Sequence, residues 1–325
     1  MERAAVTPEG PAEVPLRLTL GYAFALAAAA LFGVGGVIAK SAFAAGLAPS
    51  ELAELRVLFA FLVLLAGVAA FRPGDLRVRR DDLPLLALFG VVGLGGVQWA
   101  YYESIQRLPL GVALVIQYTA PLLILLYWRL RGRRVGGRLW LAGLLTLSGC
   151  YLVVGAYDLA NLSLNAVGLA LAVLSALIFA VYFLLAERIL SPRGPAGTVP
   201  GAGPRAYTIW TLLVYGFGFA LLAWLALRPP WTLPWDVVAV PSTALLVAGV
   251  VVVASVLPFT LTFAAVSLIP AARVGLTATA EPVVGAVAAY LLLGERLEPL
   301  QLLGGATVLV GIAIAQSLRP KAGSV

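Results

Sequence analysis

The sequence predicts an all-α integral membrane protein with ten transmembrane helices, arranged as two inverted five-helix repeats. Three observations predict it. Of the 325 residues, 62% are hydrophobic and only 11% are charged, apolar runs of about 20 residues recur along the whole chain, and the two halves repeat each other weakly. A soluble domain of this composition could not cover its surface with polar groups. The runs lack the alternation of a β-barrel, because they are continuous and rich in Leu and Ala.

The apolar runs are numbered here as spans 1 to 10. A bilayer core of about 30 Å needs about 20 mainly apolar residues as helix. Proline favours the first turn of a helix, so Pro109 and Pro270 each divide a long run into two spans. The predicted spans lie near 18–44, 50–71, 83–106, 109–130, 138–156, 166–190, 206–227, 242–268, 270–293 and 298–317. They give a first repeat at 18–156 and a second at 166–317, between cytoplasmic tails at 1–17, predicted to be disordered, and 318–325.

The basic residues predict the orientation of the chain. With the N-terminus in the cytoplasm, all but five of the 22 Lys and Arg residues fall on the cytoplasmic side. The five exceptions are Lys40, Arg56, Arg107, Arg228 and Arg296. Cytoplasmic loops of membrane proteins carry this excess of positive charge, so both termini are predicted to be cytoplasmic in an inner-membrane, multi-pass protein. The basic residues therefore indicate the orientation of the loops, and we do not expect nucleic acid as a partner.

The two halves resemble each other at fixed offsets. Pro109 and Pro121 match Pro270 and Pro282, and Leu108 lies opposite Ile269. The other matches include Gly21 with Gly168, Phe32 with Phe179, Gly143 with Gly305 and Gly149 with Gly311. Because each half has five spans, the second half must enter the membrane in the opposite orientation. Inverted repeats are common in secondary transporters, which bind substrate near the membrane midplane between the halves.

Three stretches also carry a family resemblance. They are "LFGVGGVIAKSAF", "ELRVLFAFLVLL" and "AARVGLTATAEPVVGAVAAYLLLGERLEPLQLLGGATVLVGIAIA". The chain resembles the EamA-type ten-span members of the drug/metabolite transporter superfamily over roughly residues 18–317. It departs from their pattern at the end of span 4, which has no acidic residue. The stretch "SIQRLPLGVALVIQYTAPL" resembles the amino-acid and metabolite exporters more than the nucleotide-sugar carriers.

The resemblance implies a secondary transporter of a small polar or amphipathic metabolite, such as an amino acid or related compound. It also implies efflux across the cytoplasmic membrane by alternating access. The implied partners are the small-molecule substrate and membrane lipid, with proton coupling and a monomeric or homodimeric state left open.

Glu281 is the most informative polar residue, because it lies near the centre of span 9. A lipid-facing carboxyl there would cost about 2.5–3.5 kcal/mol, so the side chain is predicted to face the space between the halves. It is a candidate substrate or proton site, and the alternative is a hydrogen-bonded carboxyl that ties helices together. Pro282 removes a backbone donor from the carbonyl of Ala278 and, with Pro121, is predicted to shape its span.

Further candidates for the substrate or proton pathway lie on spans 3, 4, 6 and 8. They are Gln98, Trp99, Tyr102, Gln117, Tyr118, Tyr182 and Phe263. Aromatic faces attract organic cations and suit amino-acid side chains, whereas an interfacial aromatic belt or simple packing would also explain these rings. Span 2 begins at "SELAELR", where Ser50 is a predicted helix cap and Arg56 is expected to pair with Glu51 or a neighbouring helix.

Missing residue types argue against other functions. The chain has no His and a single Cys, Cys150, which leaves no intrachain disulfide and no imidazole or thiolate metal cage. No Asp falls within a span, so an aspartyl pair is not visible either. We expect neither a cofactor nor enzymatic activity. A channel or lipid scramblase remains the alternative, although the sequence shows no selectivity filter or charged ring.

Overall fold

The structure is a computed structural model that describes residues 13–108, 110–156, 165–190, 207–227, 233–294 and 296–317. Within these ranges nine helices are long and apolar enough to cross a membrane, and the shorter apolar helix Gly137–Val153 lies where the sequence predicts span 5. In chain order the described spans are Glu13–Ala44, Pro49–Phe71, Arg80–Ile105, Leu110–Gln117 with Ala120–Leu130, Gly137–Val153, Ala166–Leu190, Ile209–Leu227, Pro241–Leu268, Ala271–Ala278 with Glu281–Leu293, and Pro299–Ser317. The all-α prediction is confirmed.

Several boundaries differ from the prediction. The first helix begins at Glu13, so residues 13–17 are helical although the sequence places them in the tail. Span 2 begins at Pro49, which puts Ser50 inside the helix, and the Glu51 carboxylate accepts a hydrogen bond from the backbone N–H of Ala48 at 2.8 Å. Residues 1–12, Pro109 and residues 318–325 lie outside the described residues.

Two matched glycine contacts display the inverted repeat. A Cβ atom added at Gly21 would lie 2.6 Å from Ile269 Cγ2, and one added at Gly168 would lie 2.9 Å from Leu108 Cγ. Each glycine stands near the start of the first span of its repeat, and each partner ends the third span of the other repeat. Exchanging the halves therefore converts one contact into the other. Because spans 1 and 6 begin at opposite membrane faces, the two contacts lie at opposite faces.

Hydrogen bonds join the ends of several spans at one of these faces. Arg273 Nη1 donates to the Tyr22 hydroxyl at 2.9 Å, and this hydroxyl donates to the backbone oxygen of Ala315 at 3.1 Å. The Tyr207 hydroxyl donates to the Asp82 carboxylate at 2.5 Å. We call this the basic face, because the loops at 72–80 and 129–138 carry most of its arginines. The other membrane face is called the opposite face.

Spans 5 and 10 pack with their backbones in direct contact. A Cβ atom at Gly149 would lie 2.7 Å from the carbonyl oxygen of Gly304, and one at Gly311 would lie 2.9 Å from that of Ala142. Small residues permit this close approach within a membrane. The two contacts are again equivalents under exchange of the halves.

Helix irregularities also recur in corresponding spans. Span 3 contains a π-helical segment at Phe89–Gly96, and span 8 contains one at Val252–Val256. Spans 4 and 9 are each interrupted by a turn just before a proline, at 118–119 and 279–280. Such local departures from α-helix often occur at functional sites, and here they lie in the third and fourth spans of each repeat.

Candidate functional site

Glu281 lies where the two repeats meet. It is the first residue of the second helical segment of span 9, directly after the turn at 279–280. The Tyr118 hydroxyl, from the corresponding turn of span 4, lies next to the Glu281 carboxylate, to which it can donate a hydrogen bond. Tyr118 is only 6% exposed, and Glu281 is partly buried. The carboxyl therefore lies beside a buried residue of the other repeat.

Three further side chains from three different spans surround this carboxyl. Arg56 of span 2, Tyr101 of span 3 and Cys150 of span 5 each interact electrostatically with Glu281. The Cys150 thiol is fully buried and donates a hydrogen bond to the backbone oxygen of Thr279 at 3.7 Å. We call Glu281, Tyr118, Arg56, Tyr101 and Cys150 the Glu281 site.

Of the two predicted glutamines, Gln117 joins different spans and Gln98 forms a hydrogen bond within its own span. Gln117 Nε2 donates to Ser175 Oγ at 3.2 Å, and Ser175 Oγ donates to the backbone oxygen of Val97 at 3.4 Å, which links spans 4, 6 and 3. Gln98 Nε2 donates to the backbone oxygen of Leu94 at 3.3 Å. Gln98 Oε1 is buried and has no hydrogen-bond partner among the described residues.

The predicted aromatic residues divide into three environments. Tyr102 is half-buried and contacts the ring of Tyr101 with centroids 5.7 Å apart. Trp99 is 42% exposed on the surface of the bundle. Tyr182 and Phe263 are buried against each other in an aromatic cluster, with centroids 5.8 Å apart. Packing explains the last two rings, and their part in a substrate pathway stays a prediction.

Spans 4 and 9 meet near the basic face and diverge toward the opposite face. Segment Ala271–Ala278 of span 9 packs against segment Ala120–Leu130 of span 4 and against span 6. The segments nearer the opposite face have other neighbours: Leu110–Gln117 packs against spans 3, 5 and 6, and Glu281–Leu293 against spans 1 and 5. Spans 4 and 9 therefore pack against each other mainly on the side of the Glu281 site that is nearer the basic face.

Buried polar groups complete the closure at the basic face. Every residue from Ala271 to Thr277 is buried, including Arg273, which is 2% exposed. The Glu187 carboxylate of span 6 lies next to the backbone N–H of Ala271 and interacts electrostatically with Arg133. Buried charges need such partners, so these groups stabilise the packing at the basic face.

The sequence did not single out Arg56 and Tyr101 as members of one site with Glu281. Both are separated from Glu281 by more than half of the chain, and only the tertiary fold brings them together. The one sequence feature that could have indicated Arg56 is its position one or two helical turns inside an apolar span. An arginine there can equally extend its side chain to the membrane surface. In the described part of the chain, no group of His, Cys, Asp or Glu residues could hold a metal ion.

Comparisons with known proteins agree with this architecture. A model described as the EamA-like transporter family matches residues 19–155 and again residues 166–316. The threonine/homoserine exporter RhtA of Escherichia coli K12 is 31% identical over 285 residues, which cover 87% of this chain and 85% of RhtA. An uncharacterized transporter of Archaeoglobus fulgidus is 29% identical over 78% of this chain and 84% of its own length. A solved crystal structure superposes with a TM-score of 0.73 at 19% identity, covering 91% of this chain and 96% of the other.

Proposed function

Because this chain belongs to the EamA-like transporter family, we propose that it is a secondary exporter of a small amino acid or a related amphipathic metabolite. RhtA is named an exporter of threonine and homoserine, which are small zwitterions with a polar side chain. A site with a carboxylate, a guanidinium and two phenols suits that chemistry. Energy would come from the solute gradient or from an ion such as the proton, and the protein works as a monomer or homodimer in the inner membrane.

The observation that carries this proposal is that spans 4 and 9 pack against each other mainly on the basic-face side of the Glu281 site. A channel needs a continuous path, whereas here the buried layer around Arg273 separates the site from the basic face. In this conformation segment Ala271–Ala278 contacts segment Ala120–Leu130 near the basic face. If the two inverted repeats exchanged conformations, the equivalent contact would form near the opposite face. It would join segment Leu110–Gln117 to segment Glu281–Leu293. That second state would open the site to the basic face, which is the requirement of alternating access.

With both termini in the cytoplasm, as the arginine distribution predicts, the basic face is cytoplasmic. The conformation described here would then face outward, and it would be the state from which an exporter releases its substrate.

Counterflow of L-threonine in proteoliposomes tests the proposed function. We expect uptake of labelled threonine to saturate with concentration and to accelerate when unlabelled threonine is loaded inside. Flux that rises linearly without trans-stimulation would show a channel instead. Translocation of fluorescent phospholipid in the same vesicles, without exchange of any amino acid, would show a scramblase.

A further inference from the structure

We propose that Arg56 and Glu281 form a two-point site for a zwitterion, in which Arg56 binds the α-carboxylate of an amino acid and Glu281 binds its α-ammonium group. The inference rests on the proposed function and deepens it, because it assigns the substrate class to two named side chains. It requires that Arg56 points across the interior and that its charge is available to a ligand.

The interactions of Arg56 extend beyond the spans that pack against span 2. Span 2 packs against spans 1, 3, 7 and 8. The Arg56 charge nevertheless acts on Glu281 of span 9 and on Tyr182 of span 6. The guanidinium therefore lies within electrostatic range of two spans that are not packing neighbours of span 2.

The hydrogen bonding of Arg56 shows that it can accept a ligand. Its Nε atom is buried and has no hydrogen-bond partner among the described residues, while the side chain as a whole keeps accessible surface. Leaving a buried donor unsatisfied is unfavourable, and a carboxylate satisfies the planar guanidinium with two parallel hydrogen bonds.

Nearby acidic residues do not occupy the position that a ligand carboxylate would take at Arg56. The Glu51 carboxylate caps the start of span 2 through the N–H of Ala48. Glu54 stands two residues before Arg56 and is 1% exposed, and residues two apart lie on different sides of a helix. Among the described residues neither Arg56 nor Glu281 takes part in a direct ion pair.

Arg56 and Glu281 thus carry opposite charges that interact without a direct ion pair among the described residues. Tyr118 lies next to Glu281 and can orient its carboxylate. Coulombic attraction is strong where water is scarce. A zwitterion whose carboxylate faces Arg56 and whose ammonium group faces Glu281 would therefore be bound at both ends. A ligand that lacks one of the two charges would leave a protein charge unpaired, and sites of this kind discriminate strongly against such analogues.

L-Threonine and L-threoninamide test the inference, because the amide keeps the ammonium group and removes only the negative charge. Both ligands are titrated as inhibitors of labelled threonine exchange by the reconstituted full-length protein. For the wild type we expect threonine to bind about 30-fold or more tightly than the amide. In Arg56→Gln the preference for threonine over threoninamide should fall to about 3-fold or less. The substitution of Arg56 and the amidation of the ligand remove the same interaction, so their effects do not add.

Two variants make the comparison specific. Arg56→Lys keeps the charge and should retain part of the preference for threonine. Arg107→Gln removes a different arginine near the opposite face, one whose Nη1 forms an exposed ion pair with Glu103 at 2.6 Å, and should behave as the wild type.

The outcomes separate this inference from the proposed function. Equal inhibition of the wild type by threonine and its amide would overturn the inference and leave the exporter intact, and this measurement does not depend on the folding of any variant. An undiminished preference in Arg56→Gln would overturn it as well. Absence of exchange with every amino acid in the counterflow assay would instead reject the proposed function, and the inference with it.

Discussion

The variant Glu281→Gln should lose both gradient-driven export and threonine exchange. Glutamine keeps the shape of the side chain and can still accept the hydrogen bond from Tyr118, so only the negative charge is removed. If this charge binds the substrate ammonium, the apparent affinity should fall about 30-fold or more, equivalent to about 2 kcal/mol. Transport and exchange by the reconstituted variant, each measured over a range of threonine concentrations, give this value.

Glu103→Gln is the matched control for that experiment. Glu103 is a partly exposed carboxyl whose Oε2 pairs with Arg107 at 2.6 Å, and an exposed pair contributes little, so transport should remain near the wild-type rate. Loss of gradient-driven accumulation with intact exchange would assign Glu281 to the coupling proton rather than to the substrate. Wild-type rates across the pH range in both assays would show that the carboxyl only ties spans 4 and 9 together.

The variant Gly33→Ala should destabilise the protein and impair transport, although alanine is the better helix former. A Cβ atom at Gly33 of span 1 would lie 2.7 Å from the carbonyl oxygen of Glu281 and 2.7 Å from the backbone N of Gly285. Both neighbours are backbone atoms, so span 9 itself must shift and would carry Glu281 with it. Overpacking costs about 1–3 kcal/mol, which exceeds the helix-propensity gain of at most about 1 kcal/mol. The apparent melting temperature in detergent and the threonine exchange rate should both fall.

Gly36→Ala provides the comparison on the same helix. A Cβ atom at Gly36 would meet no other atom within 4 Å, so only the propensity effect remains and the melting temperature should stay equal or rise slightly. If both alanine variants behaved alike, the close contact between spans 1 and 9 would not hold the Glu281 site in place.

The repeated architecture and the position of Glu281 could be predicted from the sequence. Periodic runs of apolar residues define helices that cross a membrane, and a carboxyl in the middle of such a run must face the interior. Tyr118 of the other repeat lies next to Glu281, and the part of this carboxyl in transport stays a prediction. The prolines at 121 and 282 likewise stand directly after interruptions of their spans.

Features that depend on contacts between distant spans could not be predicted. The convergence of Arg56 and Tyr101 on Glu281 is set by helix packing, which a single sequence does not encode as a local pattern. The burial of Tyr182 and Phe263 in an aromatic cluster has the same origin, because aromatic residues look alike whether they line a pathway or pack. The π-helical segment of span 3 contains no proline, and the one in span 8 ends two residues before Pro258.

The repeats share their geometry and differ in their chemistry. At the offset that aligns Pro121 with Pro282, the counterpart of Glu281 is Ala120, which is fully buried. Only the second repeat therefore supplies a carboxylate at the crossing of spans 4 and 9. Under the proposed function, a substrate between the halves would meet one acidic partner there, even though the scaffold around it is pseudo-symmetric.

Cysteine accessibility tests most directly whether the Glu281 site opens to one face at a time. Single cysteines replace Leu114, which is half-buried on span 4 toward the opposite face, and Leu276, which is 1% exposed on span 9 toward the basic face. The buried Cys150 is first replaced by Ser, in a background shown to transport threonine. A membrane-impermeant maleimide should label the Leu114→Cys variant from one side and leave Leu276→Cys unlabelled from either side.

A saturating concentration of threonine on both sides should then shift part of the protein to the other state. Labelling of Leu114→Cys should slow, and labelling of Leu276→Cys should begin from the other membrane side. The account would be contradicted if both cysteines were labelled without substrate, each from its own side of the membrane, and if threonine changed neither labelling rate.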